Sequence, residues 1–241
     1  MSGYRLYEEH SDHRGRFVFT CEHASNRVTR HQVTEPDRNL LNEHWGLDIG
    51  AAALVESLCQ RTGSTGVLST ESRLVIDVNR DPTSKTLIVS ECDGLPVSFN
   101  QNITAEDRIW RQSIFDGYHQ AVDNVLSRRL EIRPDTRLVS IHSFTPIWQG
   151  VQREMEVGIL FDRDPDVANR MAEVLTHHGL DVALNEPYSG LTGELMYAAH
   201  RHGNAHQIPY IEFEVRQDLL MDHHRFLDVL TGLLSALETF C

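Results

Sequence analysis

Residues 17–26 read FVFTCEHASN, an apolar run that stops abruptly at reactive groups. Phe17, Val18, Phe19 and Thr20 have strand character. Cys21, Glu22 and His23 follow directly, and small polar residues then take over. A buried strand ending in an acid and a histidine delivers ligand-grade groups to the rim of a sheet, where open α/β folds keep their sites. Taken alone, the stretch reads equally well as structure, with Cys21 in a core, His23 in a turn and Glu22 in solvent. The surrounding chain has to decide between the two.

Further along, TRLVSIHSF (136–144) repeats the device: apolar residues run into His142, then small polar groups, then Pro146. Between the two histidines, Ile49, Ala52, Ala53, Val55 and Leu58 recur at helical spacing from Asp48 to Gln60, and Gly63 closes the helix. Asp48 falls at or near that helix's N-terminus, where a carboxylate suits the dipole and an N-cap role is the alternative. TGVLS (65–69) reads as a strand. SRLVIDVNRD (72–81) alternates like another, crowded with Arg73, Asp77, Asn79 and Arg80, charges expensive to bury without partners. It reads as a recognition surface, with Asp77 positioning Arg73 or Arg80.

Residues 27–42, which contain Pro36, read as a loop with a short helical turn, and 82–103 as a long loop. A helix over about 105–130 buries Ile109, Ile114, Phe115, Tyr118, Val122, Val125 and Leu126. A strand (155–161), a helix (165–178), a short strand (181–187), the loop PYSGLTG (187–193), which suits a mobile segment near a site, and a short helix near 194–202 follow. IPYIEFEVRQDL then places Tyr210, Glu212, Glu214 and Arg216 on one strand face. A last helix, 222–238, packs by Phe226, Leu227, Val229, Leu230, Leu233 and Leu237. Strands alternating with helices predict an α/β three-layer sandwich with a mixed, largely parallel central sheet, in one domain over 1–241.

Composition narrows the function. With 40% apolar and 24% charged residues in 241, the chain has the balance of a globular protein, and no apolar run approaches the roughly 18 residues of a membrane span. The N-terminal MSGYRLYEEHSDHRGR lacks the pattern of a secretory signal, so the expected place of work is the cytoplasm. Cys21, Cys59, Cys92 and Cys241 lie far apart without paired spacing, as reduced thiols would. A formal charge of −13 argues against nucleic acid and anionic membranes as partners, so an anionic substrate must meet a local cluster of arginines. Fourteen histidines favour a metal site or proton transfer.

Mononuclear hydrolytic zinc sites use three protein ligands of His and Asp/Glu type. His23, Asp48 and His142 supply such a set, with Glu22 as a rival carboxylate. Glu214, at a sheet terminus, suits general acid–base work, with Glu212 on the same strand face as its rival. Arg73 and Arg80 suit bidentate pairing with substrate carboxylates.

CEHASNRV, DIGAAAL, SRLVIDVNR, IHSFTP, NEPYSG and EFEVRQDL, in this order over nearly the whole chain, resemble the N-formylglutamate amidohydrolase family. The resemblance implies a metal-assisted amidase that removes the formyl group from an N-formyl amino acid, on a fold distantly similar to zinc carboxypeptidases and aspartoacylases. Those relatives carry a compact HxxE, whereas here Asn26 stands three residues after His23, so Asp48 takes the glutamate's place if 24–47 is an insertion. The implied site has His23, Asp48 and His142 around a divalent metal, zinc with cobalt as the alternative. Glu214 is the implied catalytic carboxylate, and Asn79 and Arg80 are the implied grip on a substrate carboxylate, with Arg73 of the same stretch expected to join them on the carboxylates of an acidic N-acyl amino acid. Arg216 joins the substrate-binding set beside Glu214. Three rivals remain: another acyl group, a metal-free binder of carboxylated metabolites, and a cysteine hydrolase built on Cys21.

Overall fold

The computed structural model describes residues 3–8, 15–192 and 195–240; Cys241 and Gly193, both named above, lie outside the described residues. In chain order it forms β1 (Tyr4–Glu8), β2 (Phe17–Cys21), α1 (Glu35–Asn42), α2 (Ala51–Thr62), β3 (Thr65–Ser69), a small hairpin of β4 (Glu91–Cys92) and β5 (Leu95–Pro96), and α3 (Ala105–Ile132). β6 (Arg137–Phe144), a second hairpin of β7 (Ile147–Trp148) and β8 (Val151–Gln152), β9 (Val157–Leu160), α4 (Pro165–His177) and β10 (Val182–Leu184) follow. The chain then closes with α5 (Tyr197–His206), β11 (Tyr210–Arg216), α6 (Gln217–Met221) and α7 (His223–Glu238).

Seven strands make the central sheet in the order β1-β3-β2-β6-β11-β9-β10. The neighbours β3/β2, β2/β6, β6/β11 and β9/β10 run parallel, while β1/β3 and β11/β9 run antiparallel. The mixed, largely parallel α/β sheet flanked by helices is therefore the architecture that the alternation of strands and helices predicts.

Strand periodicity sorts the side chains into two cores. Phe17, Phe19 and Cys21 of β2, Val139 and Ile141 of β6, and Ile211, Phe213 and Val215 of β11 pack with α2, α4, α6 and α7. Val18, Leu138 and Tyr210 face the other way, onto Ile114, Phe115, Tyr118 and Val122 of α3 and Ala199 of α5. Period 2 then dictates that Ser140, His142, Glu212 and Glu214 share the α3/α5 face. These polar groups gather at the carboxyl ends of β6 and β11, beside the residues that follow β2. The connection from β2 reaches β3 on one side, while α3 carries the chain back to β6 on the other, which is the switch point where such sheets keep their sites.

Several local expectations are corrected. Residues 72–81 form no strand but a series of turns. Asp77 accepts a hydrogen bond from the backbone N–H of Asn79 at 2.9 Å and Ser72 Oγ donates to Gly46 O at 2.7 Å, so side chains satisfy the backbone that a ladder would have served. Residues 35–42 are a helix in spite of Pro36, because Thr34 and Asp37 make a capping box and the first turn needs no N–H from a proline. Asp48 is not the cap of α2. That place belongs to Gly50, at φ 84, where a Cβ would stand 2.4 Å from the Leu220 Cβ. Ile109 and Leu227 are exposed on the solvent sides of α3 and α7. The edge strand β1 and both hairpins carry no apolar alternation that marks them in sequence. Among the described residues, no helix is long and apolar enough to cross a membrane.

Candidate metal centre and active site

The geometry starts from the backbone. The Asp48 N–H donates to His23 O at 3.0 Å, which docks the residues before α2 on the end of β2. His142 lies on β6 in register with Glu214 of β11, so the two side chains are cross-strand neighbours. Asp48 Oδ2 is thereby placed 3.2 Å from His23 Nδ1 and 2.6 Å from His142 Nδ1, and accepts from the Ser143 N–H at 3.3 Å. One ligand atom from each of His23, Asp48 and His142 lies within 4.8 Å of the other two, and all three residues are buried.

The far nitrogen of each ring meets its own carboxylate. His23 Nε2 is 2.7 Å from Asp77 Oδ1, and His142 Nε2 is 3.0 Å from Glu22 Oε2. Glu22 also accepts from Tyr118 Oη and Ser140 Oγ, each at 2.8 Å. It therefore stands behind His142 rather than beside Asp48. Paired imidazoles with Nδ1 turned inward and Nε2–H held by carboxylates are the arrangement that fixes tautomer and ring orientation in metal sites.

Charge in the cluster is one-sided. Burial opposes ionisation of Glu22, yet hydrogen bonds and charge from His142, with Ser140 and Tyr118, hold it down at about 2. Burial likewise opposes the ionised forms of Asp48 and Asp77, and the two imidazoles and Arg73 outweigh it, leaving both carboxyls below their usual range. Against its own burial, His142 is raised well above the ordinary imidazole value by Glu212, Asp48 and Glu22. The centre thus calls for positive charge between its inward atoms, and a donor set of two imidazole nitrogens and one carboxylate oxygen suits a divalent ion of the zinc type.

Glu214 and Glu212 differ in setting. Both are buried, and burial pushes them up to about 8 and about 7 respectively. Glu214 lines the cavity that opens on the centre, whereas Glu212 sits 3.7 Å from His142 Nε2, on the Glu22 side. Among the described residues, Glu214 Oε2 and both carboxylate oxygens of Glu212 have no hydrogen-bond partner, so it is the cavity lining that separates the two.

The cavity of about 280 Å³ is at the small end of the roughly 300–1,000 Å³ of small-molecule sites. Arg73 and Arg80 line it. Arg73 pairs with Asp77 at 2.9 Å and approaches Asp48 at 3.6 Å; Arg80 donates to Asn79 O at 3.1 Å and stands 3.9 Å from Asp77. Asn79 also lines it, but its amide is engaged: Nδ2 donates to Leu195 O at 3.1 Å and Oδ1 accepts from the Ala198 N–H at 2.9 Å, tying residues 72–81 to α5.

Arg216 is not brought to this group. At the end of β11 the chain turns into α6, and the guanidinium reaches the carbonyls of Arg153, Glu154 and Met155 at 3.2–3.3 Å and Asp218 at 2.9 Å. Cys21 is fully buried, its side chain in the core beneath α2, and burial pushes its thiol up, away from nucleophilic use.

Sequence reasoning missed the carboxylate of Asp77 on His23, Glu22 as the partner of His142, and the aromatic groups His44, Trp45 and Trp148 that line the cavity beside Tyr188 of the loop expected near a site. His44, Trp45 and Tyr188 belong to irregular segments and Trp148 to a two-residue strand, where no period marks a face. The carboxylates could have been found from the rule that ligating histidines have acceptors behind them.

A family model described as N-formylglutamate amidohydrolase matches residues 15–221. The fold is similar to that of a gene product of Agrobacterium tumefaciens, at a TM-score of 0.88 and 26% identity over 99% of this chain and 96% of that one. It is also similar to an N-formylglutamate amidohydrolase from Ralstonia eutropha, at a TM-score of 0.74 and 18% identity over 99% and 98%. No curated protein matches the chain in sequence. With the matched segment running from the residues just before β2 through α6, the chain belongs to the N-formylglutamate amidohydrolase family, hydrolases that act on amide bonds.

Proposed function

We propose that the protein is a metal-dependent amidohydrolase that removes the formyl group, or another short acyl group, from an N-acylated acidic amino acid such as N-formylglutamate. The observation that carries this reading is Asp48 Oδ2 set between two inward Nδ1 atoms, each ring backed by a carboxylate. His23, Asp48 and His142 would hold the ion, zinc with cobalt as the alternative. When bound, it would supply a Lewis acid that polarises the acyl carbonyl and lowers the pKa of water.

The chain's own groups account for the proton. Glu214 takes a proton from the attacking water at a carboxylate oxygen and delivers it to the departing nitrogen as the C–N bond breaks, leaving the free amino acid and, from a formyl substrate, formate. Its burial favours a carboxyl that exchanges protons near neutrality, which matches that two-way duty. Arg80 and Arg73 give the cavity its cationic side and receive the substrate's α-carboxylate, while Asn79 holds their segment against α5. Arg216, committed to backbone carbonyls, has no part in binding. The partners are small molecules in the cytoplasm, in keeping with free thiols at Cys21, Cys59 and Cys92 and a net charge of −13.

Elemental analysis of purified protein, with a panel of N-formyl, N-acetyl and N-succinyl amino acids assayed with zinc, cobalt and after chelation, tests the reading. Glu214→Gln is expected to keep its metal while losing about 10²- to 10⁴-fold in kcat. A fully active metal-free protein would sink the metal assignment, and loss of turnover in Glu212→Gln alone would move the proton-transfer role to Glu212.

A further inference from the structure

An N-acylated acidic amino acid carries two carboxylates, and the arginines that line the cavity provide for one. Arg73 is already matched by Asp77 at 2.9 Å and Asp48 at 3.6 Å. Arg80 has only the distant 3.9 Å approach to Asp77, so its guanidinium is the one with charge to spare. The second carboxylate would meet acids, since Asp48, Asp77, Glu91 and Glu214 also line the space.

A third arginine stands at the rim. The guanidinium carbon of Arg153 is 5.4 Å from the ring centre of Phe144 and 5.5 Å from those of Trp148 and Tyr188, and all three rings line the cavity. Arg153 Nη1 donates to the carbonyl of Thr145, also a lining residue, at 3.2 Å. Among the described residues, no carboxylate lies within ion-pair distance of it, unlike Arg73. Aromatic faces hold a guanidinium flat and strip water from its sides, and with one N–H on Thr145 O and another on the Tyr188 hydroxyl the remaining N–H groups are left for a carboxylate.

The backbone fixes the placement. Gln149 and Gly150, at φ 50 and 77, form the two-residue turn between β7 and β8, of the kind whose twist matches a hairpin. Past that hairpin the Arg153 N–H donates to Pro146 O at 2.8 Å, and Arg153 O accepts from Arg216 at 3.2 Å. Arg216 thus secures the very segment that carries Arg153.

We propose that Arg153, caged by Phe144, Trp148 and Tyr188, receives the side-chain carboxylate of the substrate and makes the site select acidic over neutral N-acyl amino acids. This rests on the amidohydrolase reading above, with Arg80 on the α-carboxylate. Arg153→Met and Arg153→Lys, compared with the wild-type metal-loaded enzyme on N-formylglutamate and its neutral isostere N-formylglutamine, test it. Arg153→Met is expected to lose about 10- to 100-fold in kcat/KM on N-formylglutamate, chiefly through KM, with little change on N-formylglutamine. Arg153→Lys should recover part of that loss.

Calorimetric binding of glutarate and its monoamide, glutaramate, provides a readout without turnover. Glutarate should bind Arg153→Met about tenfold or more weakly and glutaramate equally well. Parallel losses on both members of either pair, or unchanged glutarate affinity, would overturn the proposal and leave Arg153 a clamp of the hairpin. A wild type that cleaves none of the N-formyl, N-acetyl and N-succinyl amino acids, yet needs Arg153 for glutarate, would end the amidohydrolase reading and sustain the Arg153 assignment.

Discussion

Each imidazole of the centre has two faces, one turned to Asp48 and one to a carboxylate that serves no other ring. Removing the charge behind a ligating histidine while keeping its shape should therefore weaken metal binding without unfolding the protein. Glu22→Gln and Asp77→Asn are each expected to lower metal affinity about 10- to 100-fold, read by competition with a chromogenic chelator. The Asp77 change should be the larger, because Arg73 loses its 2.9 Å partner at the same time. Unchanged affinity in both variants would show that these carboxylates serve packing alone. His23, His142 and Glu214 are conspicuous in sequence because each ends a run of strand-forming residues, and Asp48 because it precedes a clear helical period. Glu22 and Asp77 were visible as residues but not in their contacts, since their partners stand 120 and 54 positions away. Arg216 shows the opposite limit: strand alternation assigns a face, but a side chain as long as arginine's goes where carbonyls want donors.

Among the elements, the long helices and buried strands followed from periodicity, while the segment that carries Arg73, Asp77, Asn79 and Arg80 did not. Leu74, Val75, Ile76 and Val78 are all buried, so their apolar character is real, but turns rather than a ladder place them there. A buried arginine makes that possible. Arg111 of α3, with no exposed side-chain surface, donates to Val75 O at 2.6 Å, Asn100 Oδ1 at 2.7 Å and Phe99 O at 3.0 Å, and pairs with Asp107 at 2.9 Å. Sequence reading cannot anticipate this, because an arginine on a helix is by default a surface residue. Arg111→Met removes these bonds, leaving Asp107 with His31 at 3.0 Å and the carbonyls without donors, at a cost of about 3–5 kcal/mol in urea unfolding. Activity should fall with it even under conditions where the variant stays folded, since the turns that aim Arg73 and Arg80 lose their anchor. A variant with wild-type stability would mean that water replaces the guanidinium.

At the scale of the whole molecule, the α3/α5 layer that closes over the site holds a second set of histidines that the proposed chemistry does not use. His119 of α3 and His202 of α5 are both buried, with His119 Nδ1 2.8 Å from His202 Nε2, and His202 Nδ1 and His206 Nε2 lie 2.8 and 3.0 Å from Asp123 Oδ1. This polar series joins two helices that also meet through the rings of Phe115 and Tyr197, and it makes their junction sensitive to acid. Burial, with the charges of His202 and Arg201, pushes His119 down to about 3, against 6.5 for a free imidazole. Between those values the unfolded chain binds a proton that the folded one refuses, so His119 removes stability as pH falls from about 6.5, at up to roughly 1.4 kcal/mol per pH unit. Asp123, held at about 2 against burial by its hydrogen bonds and charge with His202 and His206, loses its contribution only below its ordinary carboxyl value, at lower pH. Glu212 and Glu214, raised by burial, act with the opposite sign between their unfolded value and about 7 to 8, stabilising the fold as pH falls. The His119 share therefore has to be read as a difference. Urea unfolding of wild type and His119→Gln at pH 7 and pH 5 should show the variant losing less stability on acidification, by about 1–2 kcal/mol. Because the substitution leaves the proposed metal ligands and both glutamates in place, an identical pH response in the two proteins would mean that His119 enters the fold already carrying its proton.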